Sequence, residues 1–107
     1  MYGLAKYTTP DFDFYPEIFQ VSELQEAILC FKIRNESVIE KTLAEATVDA
    51  TNNRLTWTLA QTDTADLIIN DTGVYLVDWM LQNGLRYQST TEQFRVLPAG
   101  HNGVLGV

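Results

Sequence analysis

What the chain is short of narrows its chemistry first. Its 107 residues include one cysteine, Cys30, and one histidine, His101. A lone cysteine excludes a disulfide within the chain. A lone histidine in a glycine-rich tail excludes a histidine-based triad or a multi-histidine metal centre built from one chain. Cys30 stands mid-strand among apolar neighbours, where a thiol acts as an inert small hydrophobe rather than a nucleophile. Basic residues are scarce: 7 Lys and Arg face 14 Asp and Glu, giving a net charge of −7 and a pI of about 4.4. A phosphate backbone needs clustered cations, and Lys32 with Arg34 is the densest basic pair, so nucleic acid is not an expected partner. There is no glycine-rich phosphate loop, and no cofactor is expected. No apolar run approaches the ~20 residues that span a bilayer, and no charged-then-apolar leader opens the chain, so a cytosolic product without a membrane partner is expected.

What is present reads as one small β-rich domain. The length fits a single unit, 1–107, with 1–9 as a flexible arm or short edge segment and the glycine-dotted tail 98–107 as a flexible end unless Val104 and Leu105 dock. A hydrophobic fraction of 46%, with 11% aromatic residues, can fill one core without metal or disulfide. Phe12 and Phe14 alternate with Asp11 and Asp13, and Pro16 confines that strand to an edge. Ser22 with Gln25 has the spacing of a capping box for one helical turn. Ala27 to Arg34 follows as a strand with Ala27, Leu29, Phe31 and Ile33 on one face. Val38 to Leu43 returns, turning Ile39 and Leu43 inward, and Thr47 to Asp49 is a short extended piece. Leu55, Trp57 and Leu59 give the cleanest inward–outward pattern. Gln61 to Leu67 closes a helical turn capped by Thr62 or Asp63. Strands every eight to twelve residues, with turn formers in each gap and no long helical stripe, point to an all-β sandwich.

Gly73 to Val96 organises the rest as a hairpin. Tyr75, Val77, Trp79 and Leu81 recur with a period of two. A two-residue Asn83-Gly84 loop sets polar residues beside that apolar face. A three-residue loop, Gln82-Asn83-Gly84, with Gly84 left-handed in a bulge, instead pairs Leu81 with Leu85, Trp79 with Tyr87 and Val77 with Ser89. Phe94 and Val96 have the opposite parity to Leu85 and Tyr87, so a bulge or bend is expected between Thr90 and Gln93. Trp57, Tyr75, Val77, Trp79, Leu81, Gly84, Tyr87, Phe94 and Val96 are the expected structural positions, with Trp79 and Tyr87 meeting in the core.

No constellation dictates catalysis. Asp63, Asp66 and Asp71 fall close together and are candidate ligands for a hard cation, but their spacing does not match a calcium loop, and capping and turn formation use the same residues. Asp78 interrupts the hairpin strand on the face opposite Trp79, facing solvent or an interface. Tyr2, Tyr7 and Tyr15 could stack on sugars, although packing is the commoner use of such residues.

Four motifs resemble a known family. They are the strand RLTWTL (Arg54 to Leu59), the connector QTDTADL (Gln61 to Leu67), the Gly73-Val74-Tyr75-Leu76-Val77-Asp78 strand and the closing Phe94-Arg95-Val96. With Thr8-Thr9-Pro10 ahead of Phe12 and Phe14, the pattern resembles short prophage-encoded proteins with an immunoglobulin-like β-sandwich, found among phage tail, baseplate and neck components. The tail after Leu97 and the Asp49 to Asn53 loop have no counterpart there. The resemblance implies a single immunoglobulin-like sandwich of about seven to eight short strands with one or two helical turns. It implies a non-enzymatic structural or accessory subunit of a phage or prophage particle, located in the bacterial cytoplasm or the assembled particle. The expected partners are then a second copy or other phage subunits. A carbohydrate-binding or host-adhesion module is the alternative.

Overall fold

The structure, a computed structural model, describes residues 1–106. Among these the alternating segments fold as nine strands: β1 Tyr2–Ala5, β2 Asp11–Phe14, β3 Leu24–Ile33, β4 Glu36–Thr42, β5 Thr47–Asp49, β6 Arg54–Thr58, β7 Thr72–Leu81, β8 Arg86–Gln88 and β9 Glu92–Leu97. One sheet has the order β1-β9-β7-β3-β4, with β8 beside β7, and the other has the order β2-β6-β5. Only β1 and β9 run parallel, with Leu4 opposite Val96; the other neighbours are antiparallel. With β3, β7 and β9 at the centre of one sheet, β4 extending it and β2-β6-β5 behind, chain order and strand order together are immunoglobulin-like. The fold is therefore the all-β sandwich expected.

The core lies between the sheets and is built by the odd-numbered residues of β3, β6 and β7. Leu55 and Trp57 of β6, Phe31 of β3, and Phe94 and Val96 of β9 are all at most 1% exposed. Where antibody domains tie their sheets with a disulfide, Phe12 of β2 meets Phe31 and Tyr75 edge-on, with ring centroids 5.1 and 5.4 Å apart. Phe31 and Tyr75 stack on each other at 5.1 Å. Such ring pairs contribute about 0.5–1.5 kcal/mol each beyond the area they bury, and the two made by Phe12 join the sheets without a second cysteine.

Of the two expectations for the opening residues, the structure shows the short edge segment. The segment 1–9 is not a free arm: β1 pairs along the open side of β9, Leu4 is fully buried, and the Tyr7 N–H donates to the Thr64 hydroxyl at 2.8 Å. β9 is bonded to β7 on one side only, so its other side takes β1, and Leu4 joins the core cluster there. Residues 98–106 carry no strand or helix, but the Leu105 backbone docks on the Gln61 side chain, donating at 2.7 Å and accepting at 3.0 Å.

Three 3-10 turns lead from one strand to the next: Val21–Glu23, Leu43–Glu45 and Gln61–Thr64. In each the acid at the third position reaches back to a backbone N–H. Glu23 accepts from Gln20 at 2.7 Å, Glu45 from Thr42 at 3.0 Å and Asp63 from Ala60 at 2.7 Å. The first cap is thus Gln20 with Glu23, two positions before the expected Ser22 and Gln25.

The hairpin adopts the three-residue loop. Trp79 lies opposite Tyr87, the Leu81 N–H donates to Leu85 at 2.9 Å, and Gly84 sits at φ +89°. The expected parity switch is a bulge: the Ser89 N–H donates to Val77 at 2.8 Å, yet Glu92 lies opposite Tyr75, so Thr90 and Thr91 together face Leu76. Burial of the hairpin differs from expectation. Trp79 and Leu81 are half-buried, and Tyr87 is 43% exposed rather than in the core, because the second sheet ends at β2 and no strand beyond it covers β8.

Candidate functional site

The same missing strand opens a groove, and the residues of β2 explain its shape. The Leu59 N–H donates to the Pro10 carbonyl, and Phe12 and Phe14 lie opposite Trp57 and Leu55. In an antiparallel ladder only alternate residues bond to a given neighbour, so Phe12 and Phe14 use their backbone groups on β6. Asp11 and Asp13 turn their N–H and C=O groups the other way, where no described strand pairs with them. Their side chains lie on the outer face: Asp13 accepts from the Thr56 hydroxyl at 2.6 Å and Asp11 from the Thr58 hydroxyl. Phe12 and Phe14 point inward.

The opposing wall is the bulge between β8 and β9. The Ser89 hydroxyl holds it, accepting from the Val77 N–H at 2.9 Å and donating to the Thr90 carbonyl at 3.0 Å. Between the walls lies a cavity of about 450 Å³ with Tyr2, Phe12, Phe14, Tyr75 and Val77 on its floor and Asp11, Asp13 and Glu92 at its rim. That volume falls in the ~300–1,000 Å³ range of ligand sites. Burial pushes both tyrosine hydroxyls above their ordinary value, Tyr75 further through the nearby charge of Glu92 and through Tyr2. Both therefore stay protonated at neutral pH and able to donate a hydrogen bond.

The candidates singled out from sequence are dispersed. Asp63 pairs with Lys41 at 2.9 Å, Asp71 with Arg34 at 3.2 Å, and Asp66 is exposed. Among the described residues no three His, Cys, Asp or Glu side chains converge on a metal position, so the candidate cation site is not assembled: its acids are used by turns and ion pairs. Asp78 lies on the outer face, where Arg86 grips both carboxylate oxygens at 3.0 and 2.6 Å and holds its pKa below the usual carboxylate range. Tyr2 belongs to the groove, Tyr7 lies under the Lys6 ammonium and Tyr15 is exposed near Arg54, so the three do not form one sugar-stacking platform. Cys30 is buried, 3.3 Å from the Ser37 hydroxyl, and His101 is exposed in the tail. Sequence reasoning did not find the groove itself. Its signals were present as Pro16 after β2 and the broken parity after Tyr87, but they lie far apart in the chain.

Fold and site together define an immunoglobulin-like sandwich with one open, acid-rimmed edge. Neither the protein-family models nor the curated proteins give a match to the chain. Among solved structures it is similar to the extracellular domains 3–5 of Drosophila OTK, at 12% identity, a TM-score of 0.42 and coverage of 89% of this chain and 32% of that one. It is also similar to the V domain of amphioxus IgVJ-C2, at 13% identity, a TM-score of 0.34 and coverage of 89% and 98%. The chain spans about a third of the OTK structure. The immunoglobulin-like assignment rests on the strand order itself.

Proposed function

We propose that the protein works by protein–protein assembly, as a non-enzymatic structural or accessory subunit of a phage or prophage particle. The observation that carries the assembly reading is the contrast between its sheet edges. The β4 edge is blunted: Val38 is left out of register between Phe31–Ile39 and Lys32–Ser37, and Lys41 turns inward opposite Leu29. A bulge and an inward charge are the devices by which sheet proteins avoid pairing with other chains. The β5 edge has only three residues. The four-residue edges β1 and β2 have neither device, and of these two it is β2 that lies along the groove, all of Asp11–Phe14 lining the 450 Å³ cavity against Tyr2 alone from β1. The particle context is supported by the sequence resemblance, with tail, baseplate or neck as its place.

Co-purification with the products of neighbouring genes, together with light scattering of the pure chain, tests the reading. Capture of a tail or capsid subunit in a defined ratio supports it. A strict monomer that retains none of those products, or flanking genes without any particle component, removes it.

A further inference from the structure

We infer that β2 is completed by a strand from another protein: an extended segment with lysine or arginine at alternate positions and apolar residues between them. The inference rests on the assembly reading above and names the edge and the chemistry of its partner. Backbone polarity gives the mode. Asp11 and Asp13 aim their N–H and C=O groups along the sheet plane with no described neighbour, which is the template for strand addition. The groove gives the inward half of the pattern. Residues opposite Phe12 and Phe14 enter a space walled by Tyr75 and Val77 and therefore need apolar side chains.

Charge gives the outward half and decides against a second copy as occupant. Five ion pairs join described side chains and none includes Asp11, Asp13 or Glu92. The charge of Arg54, itself paired with Asp49, reaches Asp13 without a direct contact, so the three rim carboxylates outnumber the cations that act on them. Two β2 strands pairing antiparallel through their odd-numbered residues set Asp13 against Asp11 or against itself. Like charges directly opposite destabilise a strand pair, whereas opposite charges stabilise it. The −7 net charge adds repulsion between copies and speeds encounter with a cationic segment.

The probe is an acetylated, amidated nine-residue peptide of alternating lysine and valine, titrated into the full chain and followed by amide chemical shifts and hydrogen exchange. Expected are one-to-one saturation, with shifts and slowed exchange at Asp11 and Asp13. Methylating the peptide nitrogens that face β2 should weaken binding at least tenfold without altering charge. The double substitution Asp11→Lys and Asp13→Lys should weaken it at least tenfold and transfer preference to the glutamate–valine peptide. Asp11→Asn with Asp13→Asn replaces that variant should circular dichroism show it unfolded, and should weaken lysine-peptide binding in the same direction. Undiminished binding by the methylated peptide, shifts confined to another face, or no binding at millimolar peptide overturns the inference. Any of these alongside capture of a particle subunit through another surface leaves the assembly reading standing; absence of every partner removes both.

Discussion

Lys41 Nζ lies 2.9 Å from the Asp63 carboxylate, tying the outer strand of one sheet to the connector that leaves β6 in the other. Both side chains are less than a fifth exposed, and Glu45 approaches the same ammonium at 3.7 Å. Removing Lys41 leaves the Asp63 carboxylate, less than a fifth exposed, without its cation, a loss of about 1–3 kcal/mol, whereas removing Asp63 leaves Lys41 the more distant Glu45. Lys41→Met should therefore lower the unfolding free energy extrapolated from urea titration by that amount. Asp63→Ala should cost about 1 kcal/mol through its lost cap, because the carboxylate also caps the Ala60 N–H at 2.7 Å. Lys41→Val has a second consequence: it removes one of the two devices that blunt the β4 edge and leaves only the bulge at Val38, so sedimentation should show more self-association than the parent protein.

Two glycines should respond very differently to alanine. A Cβ at Gly73 would stand 2.0 Å from the Lys32 carbonyl oxygen and 2.9 Å from a Phe94 ring carbon, contacts with backbone and with a fully buried ring. Neither can yield, so Gly73→Ala should cost about 3 kcal/mol or more. At Gly84 nothing lies within 4 Å and only the φ of +89° resists a side chain. Gly84→Ala should cost about 1 kcal/mol. Thermal melts of the two variants make the comparison, and equal losses would contradict the close approach of β7 to β3 and β9.

Much of this was legible in the residues. Period-two alternation located Phe12, Leu29, Trp57, Val77 and Phe94 on buried faces, because a sandwich strand shows one face to the core whatever its neighbours are. Face matching chose the Gln82-Asn83-Gly84 loop, and parity required the bulge before Phe94. What could not be read is how far each sheet extends. Tyr87 has the right parity for the core yet remains exposed, since its burial depends on a strand beyond β2 that the described chain does not provide. Leu4 reverses the case: it sits in a polar, unpatterned segment but is fully buried because β9 offers an open side. The groove depends on both facts, so no local pattern announces it.

The bulge wall depends on one hydroxyl. Ser89 accepts from the Val77 N–H at 2.9 Å and bonds the Thr90 carbonyl at 3.0 Å, satisfying main-chain groups that the ladder skips. Ser89→Ala leaves that N–H without its partner and should cost about 1 kcal/mol. Hydrogen exchange at Val77 should accelerate more than at Phe31 in the adjacent strand. Uniform acceleration across the sheet would mean that the bulge is held by packing instead.

The outer face carries the clearest pH signal. Arg86 hydrogen bonds, reinforced by its charge and that of Lys32, depress the Asp78 pKa against a smaller opposing effect of burial. A carboxylate depressed in the native state stabilises the fold fully above its unfolded value of about 3.9, and the contribution is lost as pH falls through the lower native value. Glu45, through the Thr42 N–H, and Asp49, through Asn52, are depressed in the same direction. Stability should therefore decline on acidification from about pH 5 downward, where the unfolded chain begins to bind more protons than the native one. Asp78→Asn keeps the side chain's shape but removes one of these titrations. Its urea midpoint should lie below that of the parent at neutral pH and converge with it in acid, giving a shallower pH dependence. A constant offset across the whole range would assign the Asp78–Arg86 contact to neutral hydrogen bonding, with no contribution from its charge.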